Sequence, residues 1–176
     1  EVEESSDLKD IFRTRYRPGP IIALDSRDAG PIDDPGRIRV EQLFSQTYGA
    51  TPDEVEAHIA KVRFFGTRYA FHEKAAPALE RVVGRLEIAQ KRNPSIRVFL
   101  RKIGGTWAWR KIDRSNNLSA HAWAIAIDLN TERSNYWRWT RRGEPLVWRN
   151  KIPQEVVDAF EAEGFIWGGR WLHFDT

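Results

Sequence analysis

The chain has 176 residues and no cysteine, and this absence constrains its fold more than any other feature. Without disulfides, its stability has to come from an apolar core, and a chain of this length buries roughly two-thirds of its unfolded surface on folding. A transition metal would have to be held by His, Asp or Glu, because thiolate ligands are excluded. The histidines available for such a site are His58, His72, His121 and His173.

The composition describes one soluble domain rather than a membrane, fibrous or disordered protein. The chain has 28 Lys and Arg against 25 Asp and Glu, and 41% of its residues are hydrophobic. No apolar run approaches the roughly 18 to 20 residues that a membrane helix needs. No basic run has the density of a nucleic-acid tail, so a nucleic-acid partner is not expected. We expect an N-terminal arm at residues 1–36, rich in charge, Pro and Gly, and one domain at residues 37–176.

Periodicity along the chain predicts helices followed by short strands, an order typical of α+β folds. The most regular helix pattern covers residues 75–90, where apolar side chains recur at steps of three and four. Shorter helix patterns lie at 51–60 and 153–164, a strand or hairpin pattern lies at 61–72, and strand patterns lie at 96–102, 106–112 and 124–129. The stretches 165–167 and 171–174 flank Gly168 and Gly169, which predicts a strand pair with a tight turn. We therefore predict a small antiparallel sheet that carries the functional site and packs against helices, preceded by an irregular arm.

His121 and Asp128 form the pair of residues with the clearest chemical potential. A straight strand would separate them by about 23 Å on opposite faces, and a helix by about 10 Å along its axis. Zinc ligands lie about 2 Å from the ion, so the chain has to turn between these residues if they share a metal. Ala124 and Ala126 would share a strand face with Asp128 and leave room for an ion. The alternative is a loop histidine and an aspartate that caps a strand or pairs with an arginine.

The segment around this pair resembles a signature of bacterial cell-wall zinc peptidases. These are the D-alanyl-D-alanine carboxypeptidases, the D-Ala-D-Ala dipeptidases and the phage endolysins that cleave L-alanyl-D-glutamate bonds. Their signature Ser-x-His-x-x-Gly-x-Ala-x-Asp is matched by Ser119, His121, Ala126 and Asp128, while Ala124 stands in the place of the Gly. The resemblance implies that His121 and Asp128 bind Zn²⁺.

The C-terminal segment GFIWGGRWLHFDT resembles the second signature of the same family, in which Gly-Gly-x-Trp is followed by an acid and, three residues after the acid, a His. The matching positions are residues 168–169, Trp171 and Asp175. The resemblance implies that Asp175 is the general base. It also implies a third zinc ligand two positions beyond Thr176, and His173 is the alternative ligand within the chain.

The family's chemistry implies hydrolysis of amide bonds in peptidoglycan stem peptides, with a D,D-carboxypeptidase-like activity as the first expectation. Arg110 is our first choice for holding the oxyanion or a substrate carboxylate, although a surface ion pair is the alternative. Ser119 would hydrogen-bond near the metal or the substrate, or serve as a turn hydroxyl. Such a substrate implies a periplasmic or extracellular location, and the sequence leaves the oligomeric state open.

Aromatic residues are concentrated in the second half of the chain. The eight tryptophans are Trp107, Trp109, Trp123, Trp137, Trp139, Trp148, Trp167 and Trp171. Most should be core residues, and some would line a groove that stacks on sugar rings or peptide planes. Residues 136–142 alternate aromatic and basic side chains, a pattern also suited to single-stranded nucleic acid. Two alternative functions therefore stay open: a peptidoglycan-binding domain without metal, and a single-strand nucleic-acid binder.

Overall fold

The computed structural model describes residues 8–13, 15–23, 34, 36–37, 39–113 and 115–176. The α-helices of this part are α1 Leu8–Arg13, α2 Glu41–Tyr48, α3 Pro52–Glu56, α4 Ala76–Arg92 and α5 Gln154–Glu161. One antiparallel pair joins β1 Ile59–Phe64 to β2 Thr67–His72, and a second joins β3 Ile103–Gly105 to β4 Asp128–Asn130. The predicted α+β class is confirmed. No helix in the described ranges is both long and apolar enough to cross a membrane.

The main core lies between α4, the β1–β2 hairpin and α5. Leu79, Val82 and Leu86 lie on one face of α4 at the predicted spacing, and all three are buried. They pack with Phe71 of β2 and Val156 of α5 in one hydrophobic cluster. The predicted helix at 75–90 and the predicted hairpin at 61–72 are therefore confirmed, because each has a regular apolar pattern that matches its own period.

A second, smaller core holds the turn on which the candidate site is built. Trp123 is fully buried, and its ring centroid lies 5.2 Å from that of Phe44 in α2. The indole Nε1 of Trp123 donates a hydrogen bond to the Gly49 carbonyl at 3.1 Å. This buried side chain anchors the 3₁₀ turn Ala120–Trp123 against the loop between α2 and α3.

The strand predicted at 96–102 is wrong. The chain forms a 3₁₀ helix at Pro94–Val98 instead. Asn93 starts this helix, because its side-chain oxygen accepts a hydrogen bond from the Ser95 N–H at 3.2 Å. A capping side chain and a proline at the first helical position outweigh the strand preference of the apolar residues that follow.

The remaining strand predictions are corrected in extent. In the region of 106–112, only Lys111 forms a bridge, to Leu118, and the strand lies earlier, at β3. The strand predicted at 124–129 is reduced to β4, which begins at Asp128. The helix predicted at 51–60 ends at Glu56, because the chain enters β1 at Ile59.

The strand pair predicted at 165–174 is wrong. This segment forms the 3₁₀ turn Gly168–Arg170 instead. The Gly168 carbonyl accepts hydrogen bonds from the N–H groups of both Trp171 and Asp175, at 3.1 and 3.0 Å. The chain therefore closes into a compact loop, and its backbone groups are not available for a ladder.

The predicted arm at residues 1–36 lies partly outside the described residues, and the predicted domain division stays a prediction. Within that segment the structure describes the helix α1 and residues 15–23.

Candidate active site

The chain turns between His121 and Asp128, as their spacing requires for a shared site. Ser119 caps the 3₁₀ turn, since its Oγ accepts the His121 N–H at 3.4 Å. Ala124 follows with φ of 53° and ψ of 39°, a left-handed conformation that reverses the chain direction. As a result, His121 Nε2 lies 3.2 Å from Asp128 Oδ1, with only 10% and 28% of the two side chains exposed.

The donor atoms of this pair fit a zinc ion. His121 Nδ1 lies 3.3 Å from the Thr106 carbonyl oxygen, an acceptor, and in the tautomer that donates this hydrogen bond Nε2 keeps its electron pair for a metal. Metal-bound histidines commonly donate their other ring N–H to a carbonyl in this way. Two ligands of a tetrahedral zinc, each about 2.0 to 2.1 Å from the ion, lie about 3.3 Å apart, which matches the separation of Nε2 from Asp128 Oδ1.

Asp175 is half-buried and lines the same cavity as this pair. Its side chain packs against Gly168, where an added Cβ would lie 2.6 Å from the Asp175 Cβ. Burial raises the pKa of the Asp175 carboxyl, and the negative charge of Asp128 acts in the same direction. Arg37 is close enough to oppose this shift. Asp175 is thus a desolvated carboxyl whose affinity for a proton is increased.

Thr176 brings the end of the described segment to the same place. Its Oγ1 donates a hydrogen bond to Asp128 Oδ1 at 3.2 Å, the oxygen that also faces His121 Nε2. Thr176 therefore lies beside the two predicted zinc ligands.

His173 is not brought together with His121 and Asp128. Its Nδ1 lies 2.7 Å from Asp34 Oδ2, and its backbone N–H donates to Asp34 Oδ1 at 3.1 Å. The His173 ring also packs edge-on against Trp137, with centroids 4.6 Å apart. Across the described ranges, no group of three or more His, Cys, Asp or Glu side chains is arranged to hold a metal ion.

Arg110 and Ser119 occupy different positions at the site. Arg110 is exposed and lines the cavity described below. Its carbonyl accepts the Ser119 N–H at 3.0 Å, which ties the two predicted residues together through the backbone. Ser119 is buried, and the hydrogen bond of its hydroxyl to the His121 N–H makes it a residue that positions the imidazole.

The predicted site residues other than His173 line one cavity of about 740 Å³. His121, Asp128 and Asp175 lie on its wall together with Arg110 and Trp139. A cavity of this size accommodates a short peptide segment, and a desolvated acid, a cationic residue and the His121–Asp128 pair line it together.

Arg37 is a cavity residue that sequence reasoning missed. Its guanidinium lies 5.7 and 5.8 Å from the ring centroids of Trp137 and Trp171, and it donates to the His173 carbonyl at 2.9 Å. The carboxylate of Asp34 lies 3.9 Å away. Nothing in the sequence distinguishes this arginine from the many others, because its environment is assembled from distant segments.

Residues 113–176 match a family model described as D-alanyl-D-alanine carboxypeptidase. This segment is similar to that peptidase family. The match includes His121, Asp128 and Asp175, and it confirms the resemblance seen in the two signatures. The peptidase segment begins after Arg110, so the match covers only part of the cavity wall. Comparisons with curated proteins and with solved structures give no significant match.

Proposed function

We propose that this protein is a zinc-dependent peptidase that hydrolyses amide bonds in peptidoglycan stem peptides, with D,D-carboxypeptidase activity as its main reaction. The supporting observation is the 3.2 Å approach of His121 Nε2 to Asp128 Oδ1 near the half-buried Asp175, inside the segment that matches the peptidase model. Its place of action is the periplasm or the outer face of the cell envelope.

His121 Nε2 and the Asp128 carboxylate would hold the zinc ion. These two residues are the protein ligands that we assign. His173 is not assigned, because its imidazole is bound to Asp34. When bound, zinc polarises the scissile carbonyl and lowers the pKa of water to about 7.

Asp175 accepts the proton of the attacking water and then delivers it to the leaving amine. Burial supports this role, because it raises the pKa of the carboxyl and makes it a stronger base than an exposed aspartate. Its position on the cavity wall, as for His121 and Asp128, gives it access to a peptide in the cavity.

Arg110 binds the terminal carboxylate of the substrate or the oxyanion. The exposed guanidinium on the cavity wall offers several N–H donors in one plane, which suit a planar anion. Ser119 and the Thr106 carbonyl hold the His121 ring in the orientation that points Nε2 at Asp128.

The decisive experiment measures zinc and hydrolysis together in the full-length protein. We expect close to one zinc per wild-type chain and release of the terminal residue from a synthetic pentapeptide, observed by mass spectrometry. His121→Ala should abolish both, because removing one of about three protein ligands leaves too few to hold the ion.

The matched control is His58→Ala, since His58 is an exposed histidine that pairs with Glu73 and does not lie on the cavity wall. It should keep both zinc and hydrolysis. Equal zinc in wild type and His121→Ala would refute the metal site. Bound peptide without hydrolysis would instead indicate the non-catalytic binding domain.

A further inference from the structure

Trp139 is the exposed member of the eight tryptophans, all of which lie in described parts of the chain. Its side chain is 56% exposed, whereas the others are buried or half-buried. It also lies on the wall of the cavity that contains Asp175. An indole that is both exposed and on the wall of the cavity is placed to contact a bound ligand with its apolar face.

The backbone and a neighbouring ring hold Trp139 in place. Tyr136 meets it edge-on, with centroids 6.0 Å apart and planes at 88°, and the Tyr136 carbonyl accepts the Trp139 N–H at 3.0 Å. The N–H of Trp137 donates to the Phe174 carbonyl at 2.9 Å. The 3₁₀ turn Trp137–Trp139 is thus bonded to the residue next to the proposed general base.

The charges around this turn exclude one class of ligand. Arg138 donates to the Asp113 carbonyl, and its guanidinium lies 3.5 Å from the Asp113 carboxylate. The negative charge of this nearby acid is therefore paired with an arginine. Arg141 and Arg142 follow the turn and are exposed, and Arg110 lies on the same cavity wall. This positive surrounding disfavours stacking of an ammonium group on the indole. A neutral ring with an apolar face and polar edges is the better match, since the arginines can donate to its hydroxyls and carbonyls.

We propose that Trp139, held edge-on by Tyr136, is a platform on which a sugar ring of the glycan strand stacks while the attached stem peptide occupies the cavity. The platform rests on the proposed function, because a sugar is joined to the peptide only in a peptidoglycan substrate. Trp139 is then the residue that makes the enzyme prefer sugar-linked peptides over free ones.

The test compares two substrates in the full-length protein: a disaccharide-pentapeptide and the same pentapeptide without sugar. We expect Trp139→Ala to lower kcat/KM on the disaccharide-pentapeptide at least about fivefold, as truncation of a tryptophan at a binding centre typically does. The loss on the sugar-free peptide should stay below about twofold, because Trp139 is not placed among the reacting groups. Trp139→Phe, which keeps an aromatic face, should recover part of the loss.

Ile88→Ala is the control, because Ile88 is 54% exposed on α4 and is not a cavity residue. It should change neither substrate. An equal loss on both substrates, or no loss on either, would overturn the platform. If the wild type cleaves neither substrate, the proposed function fails. Titration with the peptide-free disaccharide then tests the platform separately. Weaker binding of the disaccharide by Trp139→Ala than by wild type supports the platform, and equal binding overturns it.

Discussion

Ala124 is the residue that brings the two predicted zinc ligands together. Its φ of 53° lies in the left-handed region, which glycine adopts freely and alanine adopts at a cost of about 1 kcal/mol. The family signature has Gly at this position, and the backbone conformation explains that preference better than side-chain size does. The Ala124 methyl is fully buried in the cluster of Trp123, so its packing offsets part of this cost.

A single substitution should test the catalytic role proposed for Asp175 separately from metal binding. Asp175→Asn in the full-length protein should keep zinc, because the ligands are untouched, but should lower the rate of stem-peptide hydrolysis by about 10² to 10⁴. Zinc content and mass-spectrometric rates measured on the same sample check this outcome. Asp53→Asn, an exposed acid in α3, is the control and should change neither. A rate within about threefold of wild type would remove Asp175 from catalysis.

The burial of Asp175 also has a consequence for stability. Because its pKa is raised in the folded state, the unfolded chain releases this proton first as the pH rises. The free energy of unfolding is therefore unaffected by Asp175 below the ordinary aspartate pKa of about 3.9, and it falls as the pH rises through the raised folded pKa.

Asp175→Asn lacks this titration, so its stability advantage over wild type should be smallest at or below the ordinary aspartate pKa of about 3.9 and should grow as the pH rises above it. Urea unfolding of both proteins across this range, with zinc removed by a chelator, measures the difference. Chelation is needed because a bound cation stabilises the carboxylate form. A difference that does not change with pH would show that the titration of Asp175 does not contribute.

At the scale of elements, the loop before Asp175 is held by a buried cluster at the end of α5. Glu161 accepts a hydrogen bond from Arg170 Nε at 2.6 Å and another from the Tyr16 hydroxyl, and the Trp167 N–H donates to Tyr16 at 2.9 Å. Only 5% of the Glu161 side chain and 12% of that of Arg170 are exposed. Burial and the Glu161 carboxylate raise the pKa of the Tyr16 hydroxyl, which therefore stays protonated as a donor.

Arg170 also donates to the carbonyls of Gly19 and Pro20. Gln154, the first residue of α5, binds the same stretch, because its Nε2 donates to the Gly19 carbonyl and its Oε1 accepts the Ile21 N–H. Residues 16–21 are thus bound to both ends of α5 and to the turn that leads to Asp175. This part of the predicted arm therefore stabilises the turn that leads to Asp175.

Glu161→Gln should destabilise the fold by about 3 kcal/mol, because it leaves the charge of Arg170 buried without its carboxylate. Denaturant unfolding measures the loss. Glu132→Gln serves as the control, because Glu132 belongs to an exposed pair with Lys102, with both side chains more than 60% exposed, and its loss should leave the unfolding midpoint unchanged. Equal midpoints for Glu161→Gln and wild type would show that the cluster contributes no net stability.

For the whole molecule, the site lies where two cores meet. The 3₁₀ turn with His121 is anchored by the Trp123 cluster, whereas β4, which begins with Asp128, packs through Leu129 on the α4 core. A metal that binds both residues therefore links the two clusters, and the unfolded chain cannot reproduce this site.

Zinc should consequently stabilise the full-length protein globally. At a free zinc concentration 100 times the dissociation constant, the free energy of unfolding should rise by about 2.7 kcal/mol, and thermal melting with and without zinc measures the shift. Magnesium should have a much smaller effect, because it prefers octahedral oxygen ligands to an imidazole. An equal shift in His121→Ala would place the stabilising zinc elsewhere.

Local patterns in the sequence were enough to predict α4, the β1–β2 hairpin and the helical core of α5, since each buries one face at its own period and ends at local breakers. The two signatures identified the peptidase segment for a similar reason, because their residues are fixed in short stretches of chain. Only the tertiary structure decided that His173 binds Asp34 and that Tyr16 binds Glu161, pairs 139 and 145 residues apart. No local pattern encodes such pairs, because they depend on which segments the packed cores bring together.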